Sequence, residues 1–279
     1  VSVPRRSALA ALLLTGCSRF DLLNGANALV PGDGGVRRVV EGAAFGADPR
    51  QALDVHAPAG AKGLPVLVFF YGGSWASGRR QDYGFAARAL AARGFVIVVP
   101  DYRLVPHVRF PAFVEDGAAA IAWTRANIAA HGGDPARIAV IGHSAGAHIA
   151  LLLALDRRWG AAATITAAIG LAGPYDFRPF EPGGAADAAF AGTADLAVTQ
   201  PISFARGDAP PLLLLTGDAD TTVRPGNSDR LAAAVTAAGG RAEVRHYPGV
   251  GHIGILLALS KPFRGKAPVL ADTLAFLRP

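Results

Sequence analysis

Arg137-Ile138-Ala139-Val140-Ile141-Gly142-His143-Ser144-Ala145-Gly146-Ala147-His148-Ile149-Ala150-Leu151-Leu152-Leu153-Ala154-Leu155 is the stretch on which the fold turns. Arg137 to Ile141 reads as a buried strand and Ser144 to Leu155 as a helix. Between them, Gly142-His143-Ser144-Ala145-Gly146 fits G-x-S-x-G, a sharp strand-to-helix turn that lifts a serine hydroxyl clear of the backbone. Two glycines permit a strained turn where a side chain would clash. The free amides and positive dipole end of a helix starting at Ser144 favour negative charge developing there. Ser144 is therefore the candidate nucleophile. A Gly-rich strand–helix turn can also be purely structural, so its weight depends on the rest of the chain.

Outward from this turn, strand and helix alternate. Val36–Phe45 and Ala52–His56 read as short strands, Pro65–Phe70 and Phe95–Val99 as buried ones, and Thr164–Leu171, Leu212–Thr216 and Ala242–Tyr247 as further strands. Asp82–Arg93, Pro111–Ala130, Asn227–Ala238 and Pro268–Leu277 read as helices. The alternation predicts an α/β domain with a mostly parallel sheet and helices on both faces. Ligands bind beyond the carboxyl ends of such strands, which is where the chemically interesting residues fall. Gly173 to Asp208 lacks periodicity and reads as a loop-rich cap.

Tyr71-Gly72-Gly73-Ser74-Trp75 follows one of the buried strands. Cleavage of an ester passes through a tetrahedral oxyanion, which needs backbone donors aimed at it. The amides of Gly73, Ser74 and Ala145 are the candidate oxyanion hole; the alternative is a tight turn stapled by a core Trp. For the base, His252 lies just after the last strand, in Pro248-Gly249-Val250-Gly251-His252, a Gly-rich segment read as a mobile, tightly turning loop. His143 flanks the nucleophile with its side chain expected to point elsewhere, and His148 is expected to pack against strand or cap. His56, His107, His131 and His246 read as surface or structural. For the acid, Asp218 and Asp220 compete in Gly217-Asp218-Ala219-Asp220-Thr221-Thr222-Val223.

Several stretches together carry a family resemblance: Val68-Phe69-Phe70-Tyr71-Gly72-Gly73-Ser74-Trp75, Asp101-Tyr102-Arg103-Leu104, Phe110-Pro111-Ala112-Phe113-Val114-Glu115-Asp116, Gly132-Gly133-Asp134-Pro135-Ala136-Arg137-Ile138 and the elbow itself. The chain resembles the carboxylesterases related to hormone-sensitive lipase and to bacterial esterases with an HGGxW motif, a group that also includes kynurenine formamidases. The resemblance spans about the whole chain after Val36. It implies the α/β-hydrolase fold and a Ser-His-Asp triad of Ser144, His252 and Asp220, cleaving esters of small to medium acyl groups without cofactor or metal. Asp220 is preferred because the family places its acid three residues before a Val, here Val223; Asp218 is then left to shape the turn through local amides. Trp75 is expected to line the substrate pocket. One departure stands out: the family's histidine before the Gly-Gly pair is Tyr71 here. The alternatives are an arylformamidase using the same triad and a catalytically silent hydrolase fold serving as a binding module.

The 279 residues fit one large domain, with hydrophobic residues at 51% ample for a covered sheet. The net charge of +6 comes from scattered arginines rather than a basic stripe, and no reading motif accompanies it, so nucleic-acid binding is not expected. Asp101, Asp116 and Asp134 are not grouped at ligand spacing, and there is no His-x-x-x-His pair for a metal. The single cysteine, Cys17, excludes an intramolecular disulfide. Arg5-Arg6, an apolar run from Ser7 to Leu14 and then Leu14-Thr15-Gly16-Cys17 resemble the signal and lipobox of a bacterial lipoprotein, with a weaker likeness to a twin-arginine signal. The expected organisation is a signal peptide at 1–16, a lipid-anchored tether at 17–35 and a catalytic domain at 36–279. The protein would then be exported and held at a bacterial membrane through Cys17, its partner a small-molecule ester. Nothing in the sequence indicates an oligomeric state.

Overall fold

The alternating segments form, in the computed structural model, which describes residues 19–278, one sheet of eight strands. These are β1 (Val36–Ala44), β2 (Ala52–Pro58), β3 (Leu64–Phe70), β4 (Val96–Pro100), β5 (Gly133–His143), β6 (Ile165–Leu171), β7 (Leu212–Gly217) and β8 (Ala242–Tyr247). Their order is β1-β2-β4-β3-β5-β6-β7-β8. β2 is antiparallel to both of its neighbours, and all pairings from β4 through β8 are parallel. β1 and β2 therefore form an antiparallel edge on an otherwise parallel sheet. The chain leaves β3 in one direction, to β4, and returns on the other side as β5. The gap between β3 and β5 is thus the switch point at which such sheets open a crevice.

The helices are α1 (Arg19–Leu29), α2 (Gly84–Ala91), α3 (Ala112–Asn127), α4 (Ala145–Leu155), α5 (Ala185–Phe190), α6 (Gly226–Ala237), α7 (His252–Leu257) and α8 (Val269–Leu277). α1 packs with α2 on one side of the sheet, and α3, α4 and α6 form the other layer. α4, the helix that opens at the elbow, is apolar all round except for His148 and is buried along its whole length. A helix of that composition has no solvent side to offer, so it packs centrally. Residues 173–208 contain only α5 and short 3-10 turns at Leu196–Thr199 and Pro201–Phe204, in keeping with a small cap.

Cys17, Arg5, Arg6 and the apolar run before Cys17 lie outside the described residues. The tether expected up to residue 35 needs correction from Arg19 onward. Residues Arg19–Leu29 form a helix docked on the domain, with Leu23 and Asn27 buried. Its inward side adds polar anchors to Phe20 and Leu23: Asn24 Nδ2 donates to the carbonyls of Gln81 and Asp82, both at 3.2 Å, and Asn27 Oδ1 accepts from the Lys261 amide at 2.7 Å. Beyond the helix, the buried Asp33 carboxylate accepts from Arg264 at 2.6 and 3.1 Å and from Arg93. Burial raises the Asp33 pKa, but the two guanidiniums more than offset this and hold it below the usual carboxylate value. Gly, Asn and Asp thus mark a segment whose bonds are long-range, and the folded domain begins before Val36. Among the described residues no helix is long and apolar enough to cross a membrane.

Replacing Asp33 by Asn should leave two arginines facing each other without a counter-charge. We expect a loss of about 2 kcal/mol by urea denaturation at neutral pH, moderated because both guanidiniums keep partial solvent access. A carboxyl whose folded pKa is depressed stabilises the fold only while ionised, so this difference should disappear as pH falls through the Asp33 titration.

Candidate active site

Five strand ends build the site. The register sets Phe70 of β3 beside Gly142 of β5, and His143 of β5 beside Leu171 of β6. The Ser144 amide then donates to the Leu171 carbonyl at 2.9 Å. Ser144 itself sits at φ 54° and ψ −122°, a sparsely populated conformation that costs on the order of 1–3 kcal/mol for a residue with a side chain. The surrounding glycines make this turn possible by their lack of a Cβ. A Cβ on Gly142 would lie 2.3 Å from the Gly146 carbonyl oxygen, and one on Gly146 would lie 2.2 Å from that of Phe70. The elbow is therefore pressed against the end of β3 with no room for a larger residue at either position.

Ser144, His252 and Asp220 come together, from the ends of β5, β8 and β7 respectively. Ser144 Oγ lies 2.9 Å from His252 Nε2, and His252 Nδ1 lies 2.8 Å from Asp220 Oδ2. A carboxylate can only accept, so Nδ1 carries the imidazole proton, and Nε2 is left to accept from the serine hydroxyl. Asp220 Oδ1 accepts from the amides of Thr222 at 2.9 Å and Val223 at 2.8 Å. Burial raises the Asp220 pKa, but the bonds from His252, Val223 and Thr222 outweigh it and hold the carboxyl below its ordinary value. Ser144 and His252 both retain partial exposure, which leaves the hydroxyl reachable from solvent.

The loop after β3 lies directly against this pair. A Cβ on Gly72 would meet His143 Nδ1 at 2.8 Å and Ser144 Cβ at 3.0 Å. Gly73, Ser74 and Trp75 all have positive φ, at 130°, 54° and 57°. Among the described residues the amides of Gly73, Ser74 and Ala145 donate to no protein group, while the Gly73 carbonyl accepts from Ala76 and Ser77, closing the turn. Free amides beside a nucleophile are the donors an oxyanion requires.

Beneath the loop stands Tyr71, fully buried and stacked between Tyr83 and Tyr102, with ring centroids 5.2 and 4.7 Å away. Its hydroxyl donates to Asp101 Oδ1 at 2.8 Å and accepts from Arg50 Nη2 at 2.8 Å. Burial pushes the phenol pKa well up, so Tyr71 remains a donor. Asp101 also accepts from the Arg80 backbone amide at 2.7 Å and from its guanidinium at 2.5 Å, while Arg80 Nε reaches Asp54 at 2.8 Å. The tyrosine at the family's histidine position is thus a strut of a buried charge network that supports the loop. Arg50, Arg80 and Asp54 escaped sequence reasoning because they are far apart in the chain and form no motif, and Asp101 was read there only as part of a family stretch, with no role.

Four expectations are corrected, the last of them for His143. Trp75 does not stand free as a pocket wall; it is 4% exposed and packs against Phe113, His148, Phe177 and Phe190, seating the cap. His252 does not sit in a mobile loop; it opens α7, behind the N-cap Gly251. Asp218 does not bond local amides; it accepts from His246 Nδ1 at 2.7 Å, and His246 Nε2 reaches Asp229 at 2.9 Å. Two carboxylates on one exposed imidazole raise its pKa.

His143 was expected to point elsewhere, and its ring instead lies 4.9 Å from that of His252, with Nε2 donating to the His252 carbonyl at 3.0 Å. Burial pushes its pKa down to about 3 and that of His148 down to about 4, so both are neutral. His148 donates from Nε2 to the Thr199 carbonyl at 2.7 Å and so ties α4 to the cap. Among the described residues no group of three or more His, Cys, Asp or Glu is placed to hold a metal ion.

With this geometry in view, the comparisons are informative. A family model described as BD-FAE matches residues 53–235. Esterase LipC of Mycobacterium tuberculosis is 41% identical over 145 residues, covering 48% of this chain and 36% of that protein. A probable isoprenylcysteine alpha-carbonyl methylesterase of Oryza sativa subsp. japonica, ICMEL1, is 30% identical over 264 residues, covering 85% of this chain and 62% of that protein. The chain therefore spans less than two thirds of the length of either relative. Among solved structures, esterase 2 of Thermogutta terrifontis phosphoramylated by tabun superposes with a TM-score of 0.69 at 25% identity, covering 89% of this chain and 98% of that one. The strand order and these likenesses agree on the α/β-hydrolase fold.

The two aspartates give the sharpest test of the site. Asp220→Asn should lower kcat/KM for an ester by about 10⁴-fold, because an amide can neither fix the Nδ1–H tautomer nor offset an imidazolium. Asp218→Asn should leave kcat/KM near wild type, since its partner His246 is exposed and bonds Asp218 and Asp229 rather than a triad residue. Steady-state kinetics on the two variants checks this ordering.

Proposed function

Because the chain belongs to the BD-FAE family, we propose that it is a carboxylic ester hydrolase in which Ser144, His252 and Asp220 act as nucleophile, base and orienting acid. The observation that carries this reading is the pair of contacts at 2.9 and 2.8 Å that links the three side chains in line. His252 Nε2 takes the proton as Ser144 Oγ attacks the acyl carbon. The carbonyl electrons move to oxygen, and the resulting oxyanion accepts bonds from the amides of Gly73, Ser74 and Ala145. When the intermediate collapses, the alcohol departs with the proton from His252, leaving an acyl-serine. Water then gives a proton to His252, attacks the acyl carbon and releases the acid, and Ser144 recovers its proton.

A substrate with a small to medium acyl group fits the short cap, whose aromatic residues Phe177, Phe180 and Phe190 pack on one another and on Trp75. The relatives are named an esterase and a methylesterase, activities on the same bond type. A silent binding module would have no use for three side chains aligned in this way. The arylformamidase alternative uses the same triad, so a panel of acyl and formyl substrates separates the two. Ser144→Ala should lose on the order of a thousandfold or more in kcat on the best ester while keeping the wild-type unfolding transition. Activity near wild type in this variant would reject the serine mechanism, and a preference for the formyl amide would reject the ester reading.

We further propose that the enzyme is exported and held at a bacterial membrane through a lipid on Cys17, on the strength of Leu14-Thr15-Gly16-Cys17 behind Arg5-Arg6 and an apolar run. Mass spectrometry of the N-terminus of the native protein should find an acylated Cys17 as the first residue. An unmodified Cys17 still preceded by Gly16 would refute this.

A further inference from the structure

Helix α1 turns a mixed polar and apolar side inward and leaves an apolar side outward. At 100° per residue, Phe20, Leu23, Asn24 and Asn27 share the side that faces the domain, where both asparagines are engaged in hydrogen bonds. The opposite side carries Leu22, Gly25, Ala26 and Leu29, all exposed, with Leu22 at 59% and Leu29 at 87%. A surface helix ordinarily turns its polar face to water. Here water meets two leucines with no charge among them, and Val30 follows directly, exposed as well.

The apolar strip does not end with the helix. The 3-10 turn Lys261–Lys266 packs against α1: Lys261 Nζ donates to the carbonyls of Val30 and Gly32. Phe263 in that turn is itself exposed, with the Lys266 ammonium 5.8 Å from its ring centroid. Lys261 and Lys266 therefore border the strip with positive charge. Arg264 adds little to it, because it shares the Asp33 carboxylate with Arg93, and Asp21 is paired with Arg79. The same turn packs against α7, where Ile253, half exposed, follows the base His252.

We infer that the outer face of α1, together with the basic 261–266 turn, is a docking surface for an anionic phospholipid bilayer. The leucines, Val30 and Phe263 enter the boundary between headgroups and acyl chains, and the lysines meet lipid phosphates. A second copy of the chain would bring like charges together along the strip's border, which argues against self-association. This inference extends the membrane placement proposed above but does not depend on modification of Cys17.

The test uses the full chain with Cys17→Ser, which removes both the anchor and the only thiol. Leu29→Cys then carries a polarity-sensitive fluorophore, and Thr236→Cys on the opposite layer, exposed on α6, serves as control. The label at 29 should shift to the blue with vesicles containing phosphatidylglycerol, less so at high salt, and little with phosphatidylcholine alone; the label at 236 should not shift. In unlabelled protein, Leu22→Glu with Leu29→Glu should weaken binding to the anionic vesicles by about tenfold or more, and Lys266→Gln by roughly threefold to fivefold. Hydrolysis of a soluble short-chain ester should be unchanged in these variants, which reports separately on the Ser144 reading. A label at 29 already blue-shifted without vesicles would overturn the inference in favour of coverage by the chain's own N-terminal residues. A concentration-dependent dimer abolished by the glutamates would overturn it in favour of a second copy. Vesicle binding unaffected by the glutamates would also refute it.

Discussion

The ends of β3 and β5 can lie side by side only because three residues at their junction have no Cβ. Gly146 brings the first turn of α4 against the carbonyls of Phe70 and Tyr71, Gly142 lets the chain fold back beneath it, and Gly72 lets the following loop touch Ser144. Any side chain at these positions would meet backbone, which cannot swing aside as a long side chain could. The contact sets the distance between the nucleophile and the loop that faces it, and so fixes where a reacting carbonyl can sit. It also forces Ser144 into its positive-φ conformation, a strain that the wholly buried α4 and the parallel register on either side are stiff enough to hold.

The loop after β3 needs support from below, and here the chain supplies a buried tyrosine held in place by charged partners. Tyr71 links Arg50 to Asp101, and Arg80 joins Asp101 to Asp54. Buried ion pairs add little net stability, since the desolvation of each group offsets much of the attraction. Their geometric demand is nevertheless strict: each donor must find its acceptor, or a buried charge stands unpaired. The network therefore acts on position more than on stability. It fixes the end of β3, and with it the free amides of Gly73 and Ser74, relative to strands β2 and β4.

Much of this was legible in the sequence. Alternating buried strands and helices predicted all eight strands in order and five of the eight helices, though not α1, α5 or α7, and the glycines around Ser144, with the late positions of Asp220 and His252, indicated the site. What escaped has a common physical cause. α1 turns Asn24 and Asn27 inward beside Phe20 and Leu23 and leaves Leu22 and Leu29 exposed, so hydropathy periodicity reads it as a linker. Asp218 looked like a turn-maker because the only local partners in view were amides; its real partner, His246, is brought in by the adjacent strand β8. His143 looked idle because alternation along β5 does not reveal what the next strand but two places against it. In each case the partner is distant in sequence and near only after the sheet has formed.

His143 also bears on how the base can work. In the proposed reaction His252 must become positively charged, and a second cation 4.9 Å away would oppose this. Burial keeps His143 neutral, with a pKa of about 3, throughout the range in which an esterase operates. Its one protonated nitrogen, Nε2, is spent on the His252 carbonyl, so it anchors the backbone of the base without competing for Asp220. His252 is thus held at two points: its carbonyl by a neutral ring, and its Nδ1 by a carboxylate kept ionised by two amides. The forming positive charge therefore meets one full negative charge and no positive one. This asymmetry favours proton transfer from Ser144, and it arises because one of two adjacent histidines is sealed from water while the other keeps an open edge.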